Sequence, residues 1–403
     1  MFLTIKSVKN NSCVRKLFNT TMKKFLKIEL NQNRIYGLDI LRALAILFVV
    51  IGHGKLLLPK DNHKYINPFI YDGVSIFFVL SGFLIGGILI KIFNKNKMSW
   101  NLIGHFWIRR WFRTLPNYFL ILLVLIALNS FFVKNFEIGS VKWYFFFSQN
   151  LFSEHPTFFP EAWSISIEEW FYLIIPIIIF SFIKLFKISF NKSILITAFS
   201  LIILVTFHRY YRFEASVIDN ITWDLSFRKQ VSTRLDSLMF GVIGAFVHRN
   251  YYKLWDKYKV LLFIIGIIIF ISLKYNLFQL EKYGLFYCVF SFSLISIATL
   301  FLIPFLVSIK NGKGFLYKSL TYISLISYSM YLINLTIVQF WILGNIEWSL
   351  LSDFNGYLYL SVRYALYWVL TIVISIIIYK FFEIPLMNLR DKVNIKSNRQ
   401  NHK

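Results

Sequence analysis

Apolar residues run along this chain in long blocks separated by short polar or basic stretches. A helix needs about 20 predominantly apolar residues to cross a hydrocarbon core. Blocks near that size fall at 38–58, 69–90, 114–133, 162–183, 191–208, 232–248, 260–274, 284–309, 315–344 and 357–382. Within lipid the backbone must satisfy its own hydrogen bonds, so each block predicts a helix. The expected fold is an all-α integral membrane protein of about ten transmembrane helices. This transmembrane domain covers residues 35–390, between a basic tail at 1–34 and a second basic tail at 391–403. The aromatic run Trp143–Phe147 is too short to cross and is expected at the membrane interface. The longest polar interruption is 208–231.

Composition narrows the class. Of the 403 residues, 57% are hydrophobic and 16% charged, against about 25% charged in a soluble domain. A soluble globule of this size has too little interior for that apolar content. The net charge is +25. In a soluble protein this would suggest nucleic acid, but here it fits basic loops against an anionic leaflet, and no nucleic-acid partner is expected. Lys and Arg crowd the loops on the side of the N-terminal tail, which predicts cytoplasmic termini. No unbroken apolar core follows the tail before Asp39, so a cleaved signal peptide is not expected. The two cysteines, Cys13 and Cys288, lie in the tail and in an apolar block, and no metal-ligand spacing appears, so no metal is expected.

Charge inside a span is costly and is a functional hypothesis by default. The first block reads Y-G-L-D-I-L-R-A-L-A-I-L-F-V-V-I-G-H-G. Eleven helical steps separate Arg42 from His53, so both side chains leave one face, about 16 Å apart along the axis. Asp39 lies near the same face. Asp72 and Ser75 open the second block, whose Ser81, Gly82, Gly86 and Gly87 suit close helix packing. Arg109, Arg110 and Arg113 cluster in W-I-R-R-W-F-R-T-L-P, where a helix would bring 110 and 113 to one face. Guanidinium forks suit phosphate oxygens. Glu168 and Glu169 in P-E-A-W-S-I-S-I-E-E-W-F-Y sit inside the fourth block, where each needs a partner or a polar cavity. Arg234 and Asp236 open the sixth, as a mutual ion pair or as contacts to a polar acceptor. Asn334 is a polar group in the ninth, and Glu383 ends the tenth, where it could face the basic tail.

Taken together, these segments resemble the membrane-bound acyltransferase family 3, which contains O-antigen and other polysaccharide O-acetyltransferases. Arg42 and His53 match its R-x10-H signature. F-F-V-L-S-G-F-L-I, the arginines ending at Arg113, W-S-I-S-I-E-E-W-F-Y, I-S-Y-S-M-Y-L and F-E-I-P follow in the expected order. The resemblance implies an O-acetyltransferase of the bacterial inner membrane. It would move an acyl group, usually acetyl, from cytoplasmic acetyl-CoA to a hydroxyl of an envelope or exported glycan such as lipopolysaccharide O-antigen. The lipid bilayer, the glycan acceptor and acyl-CoA are its expected partners.

On that reading Arg110 and Arg113, with Arg109, take the phosphates of coenzyme A, and Arg42 stabilises the thioester oxygen. His53 acts as general base, oriented by Glu168 or Glu169, or carries an acyl-histidine intermediate. Asp72, Arg234 and Asp236 face the acceptor. The chain departs from the family at Asn334, where His is common, and at Ser75, where Asp is frequent. It ends soon after the tenth helix, so the resemblance implies direct action on the acceptor or hand-over to a separate partner. The alternative is a polytopic exporter of a lipid-linked glycan, with the same charges lining a pathway.

Overall fold

The apolar blocks become helices because a chain in lipid has no other donors or acceptors for its backbone. The computed structural model describes residues 34–93, 99–354 and 356–389. Among the described residues there is no strand. Both expected basic tails lie outside the described residues, apart from Arg34.

The principal helices are α1 (Tyr36–Gly54), α2 (Gly73–Phe93), α3 (Trp100–Phe132), α4 (Ala162–Leu185) and α5 (Phe190–Ala215). They continue with α6 (Leu235–Asn250), α7 (Lys259–Lys274), α8 (Ser291–Ser308), α9 (Gly314–Ile333) and α10 (Gly356–Ile378). Wider π-helical turns extend three of these: Phe286–Phe290 before α8, Asn334–Ile342 after α9 and Tyr379–Glu383 after α10. Among the described residues, eight of the resulting helical segments are long and apolar enough to cross a membrane, as expected of a multi-pass membrane protein. The sixth and seventh expected spans form α6 and α7, each of 16 residues. The run Trp143–Phe147 falls largely in a short 3-10 helix, Ile138–Phe146, with Tyr144 buried.

Two boundaries differ from expectation in ways that matter. Helix α3 begins fourteen residues before the apolar block, at Trp100, capped by the Ser99 hydroxyl. The arginines at 109–113 are therefore inside the helix rather than ahead of it. Helix α5 runs past its apolar block to Ala215. That carries Arg209 from an expected loop into a fully buried position.

The core of the bundle is the contact of α2 with α6. A Cβ on Gly82 would lie 1.9 Å from the Leu238 carbonyl oxygen, and one on Gly241 would lie 2.1 Å from that of Val79. The two backbones touch because neither residue has a side chain. Gly87, from the same small-residue run, has nothing within 4 Å of a Cβ, so it takes no part in this contact.

Beside this contact lies a buried charge network. Arg209 pairs with Asp236 at 2.8 Å, both fully buried, and donates to the Thr233 carbonyl and the Ser293 hydroxyl. Asp236 therefore takes its partner from α5 rather than from Arg234, which corrects the mutual pair expected from sequence.

Candidate active site

Helix α1 carries Arg42 and His53 into two neighbouring cavities. The larger, about 890 Å³, is lined by Gly52, His53, Asp72, Glu161, Arg228 and Lys229, with Tyr331 on its wall. The smaller, about 120 Å³, is lined by Arg42, Ser81, Arg110, Arg113, Glu168 and Tyr172, again with Tyr331. Tyr331 and Val74 line both. Tyr331 is held there by two bonds: its hydroxyl accepts from Ser164 at 2.7 Å and donates to the Glu161 carbonyl at 2.9 Å.

His53 is fixed from one side. Its Nδ1 lies 2.6 Å from Asn334 Oδ1, 281 residues away. Tyr367 backs this pair, its hydroxyl donating to the Val50 carbonyl at 2.9 Å. Gly54 makes room for it, since a Cβ there would come within 2.9 Å of the Tyr367 ring. Asn334 opens a π-helical turn, a departure often found at functional sites. Glu161 fastens that turn: it accepts from the Thr336 N–H at 2.8 Å and from the Thr336 hydroxyl.

Neither glutamate of the E-E pair reaches His53. Glu168 accepts from Ser81 at 3.0 Å and Tyr172 at 2.7 Å in the small cavity. Glu169 accepts from Thr114 at 2.7 Å. The expectation that one of them orients the imidazole is corrected by the fold: α4 brings both to the level of Arg42 and Arg110, and Asn334 takes the place beside His53. The three arginines also divide. Arg110 and Arg113 line the small cavity, whereas Arg109 is exposed and lines neither. Asp39 accepts from Ser324 at 2.8 Å and lies 3.9 Å from Arg42.

Asp72 lines the large cavity. Arg234 and Asp236 are fully buried and line neither of these two cavities. Glu383 accepts from Asn117 at 2.8 Å and from Ser329 at 3.2 Å, while the basic tail it was expected to face lies outside the described residues.

Sequence reasoning missed the Trp223–Lys229 turn, which lay inside the longest polar interruption. There Asp224 holds Arg228 at 2.6 Å and Lys229 at 2.5 Å at the large cavity. Burial pushes the Asp224 carboxyl up, but the two cations more than offset this and hold it below its ordinary value. Burial and the adjacent Arg228 lower Lys229. The Arg228 guanidinium also sits 5.2 Å over the Trp163 ring. Among the described residues, no group of three or more His, Cys, Asp or Glu is placed to hold a metal.

Comparison with known proteins places the chain in a family. The family model described as "Acyltransferase domain" matches residues 35–380. A Staphylococcus aureus (strain COL) protein provisionally named an O-acetyltransferase is 30% identical over 327 residues, 76% of this chain and 51% of that protein. The O-acetyltransferase OatA of S. aureus (strain NCTC 8325 / PS 47) is 30% identical over 341 residues, 79% of this chain and 53% of its own. The peptidoglycan O-acetyltransferase OatA of Listeria monocytogenes is 33% identical over 165 residues, 38% of this chain and 25% of its own. The chain spans about half the length of the first two relatives. No solved structure matches it.

Proposed function

Because the chain belongs to the acyltransferase 3 family, we propose that it is an integral membrane O-acyltransferase. It takes an acyl group, acetyl by preference, from acyl-CoA on the cytoplasmic face of a bacterial inner membrane. It delivers that group to a hydroxyl of an envelope glycan. Lipopolysaccharide O-antigen and, from the name of the Listeria relative, peptidoglycan are the acceptors this reading offers.

The observation that supports it is the meeting of two unlike cavities at Tyr331. The small one has the chemistry of a donor site. Arg110 and Arg113 offer forked donors for phosphate oxygens. A cavity of about 120 Å³ suits a narrow thioester arm, with the nucleotide remaining at its arginine-lined edge. The large one has room for sugar rings and carries His53. Arg42 and His53 line different cavities, so this reading puts Arg42 along the arm of the donor rather than on the reacting carbonyl.

Transfer then proceeds at His53. Its free ring nitrogen takes the proton of the acceptor hydroxyl as the oxygen attacks the thioester carbonyl. The tetrahedral intermediate collapses, the carbon–sulfur bond breaks, and the imidazolium returns its proton to the departing coenzyme A thiolate. The atoms balance with no further reactant.

The test is incubation of membranes containing or lacking the chain with acetyl-labelled acetyl-CoA. Label entering glycan supports transfer. Glycan crossing the membrane without label would mean an exporter instead.

A further inference from the structure

We infer that Asn334 is the positioning residue that sets the tautomer of His53, keeping the proton on Nδ1 and leaving the Nε2 lone pair facing the large cavity. The inference rests on the reading of His53 as the reacting imidazole, but its first measurement stands apart from activity.

Asn334 Nδ2 donates to the Met330 carbonyl at 2.8 Å and to the Tyr331 carbonyl at 2.9 Å. Turning the amide over would aim its oxygen at two carbonyl oxygens, so the orientation is fixed by its own helix. Oδ1 must then be the atom that meets His53, and an amide oxygen only accepts. At 2.6 Å, Nδ1 must therefore be the donor. Tyr367 does not compete. Its single proton has the nearer carbonyl of Val50 at 2.9 Å, against 3.3 Å to Asn334 Oδ1. With Nδ1 protonated in the neutral ring, Nε2 carries the lone pair, which is what either a general base or a nucleophile needs.

The site is also built to resist rotation. Asn334 is fully buried. The turn it opens is tied through Thr336 to Glu161, and Glu161 itself lines the large cavity. This is the logic of a histidine oriented by a neighbour, with a neutral amide in the place a carboxylate takes in a triad. An asparagine here supplies the acceptor without adding a second titrating ring.

Nitrogen-15 NMR of the full-length protein, labelled on histidine, tests this in detergent micelles. A difference against His53→Gln isolates the His53 signals. The expected result is a neutral ring protonated on Nδ1. A ring protonated on Nε2 overturns the inference whatever the activity.

Asn334→Leu is expected to move the proton to Nε2 and lower kcat about 100-fold or more, with KM for acetyl-CoA unchanged. Asn334→Asp keeps an acceptor in place, so it should retain the Nδ1–H form and recover most of the lost rate. Full activity of Asn334→Leu would also overturn the inference. Full activity of His53→Ala would instead overturn the proposed function, leaving the tautomer assignment intact.

Discussion

Arg234 Nη2 donates to Ser75 Oγ at 2.5 Å, and that hydroxyl donates in turn to Asp72 Oδ2 at 2.5 Å. A buried guanidinium thereby reaches a carboxylate through one hydroxyl. Its faces are covered by the rings of Phe78 at 5.5 Å and Phe292 at 4.2 Å, which attract a cation while excluding water. The carboxylate of this relay stands three residues before the serine, at the start of α2. Ser75→Ala removes the acceptor of a buried charged donor. The expected cost is about 1–3 kcal/mol, read as a lower thermal unfolding midpoint in detergent. An unchanged midpoint would show that the relay carries no weight.

The α2–α6 contact separates two glycines of one run. Gly82→Ala places a methyl 1.9 Å from the Leu238 carbonyl oxygen, whereas Gly87→Ala meets nothing within 4 Å. The first substitution should destabilise by about 1–3 kcal/mol or more; the second should leave the unfolding midpoint in place. Equal effects would mean that the two helices do not approach closely through Gly82.

The arginine cluster gives a further contrast. Arg110→Ala and Arg113→Ala should each raise KM for acyl-CoA about 10- to 100-fold, the worth of a hydrogen bond to a charged group. Arg109→Ala should change it little, because Arg109 lines neither cavity. Titration of initial rates against acetyl-CoA distinguishes them. A uniform rise across all three would reduce the cluster to general positive charge at the membrane edge.

How much of this could be read in the sequence follows from the range of each interaction. Helices follow from local apolar runs, so the blocks were legible, and so was the shared face of Arg42 and His53, which needs only the 100° step. Partners across the fold were not. Nothing near His53 in the chain points to Asn334, and no spacing rule marks Glu161 as an anchor for Thr336. Arg209 lay beyond its apolar block, where hydropathy predicts a loop, yet α5 continues and buries it against Asp236. The E-E pair drew attention as the nearest candidate for His53 because a buried carboxylate demands a partner. Its partners are Ser81, Tyr172 and Thr114, which no spacing rule selects.

The Asp224 cluster predicts a pH dependence. Its carboxyl is held below the ordinary value of 3.8 by Arg228 and Lys229, which more than offset burial. A depressed acid adds stability above its unfolded value, and that contribution is lost as pH falls through the folded value. Wild type should therefore unfold at a higher temperature than Asp224→Asn near neutral pH. The gap should close under acid conditions below 3.8. The groups are partly exposed, so salt should narrow it as well. A gap independent of pH would contradict the assignment.

The central claim is that the imidazole of His53, on the wall of the large cavity, carries acyl transfer. It is tested most directly by the rate at which label passes from acetyl-CoA to glycan in membranes holding equal amounts of wild type or His53→Ala, with insertion and unfolding midpoint matched. The account predicts that the variant folds normally and transfers no label above background. Transfer at the wild-type rate would contradict it.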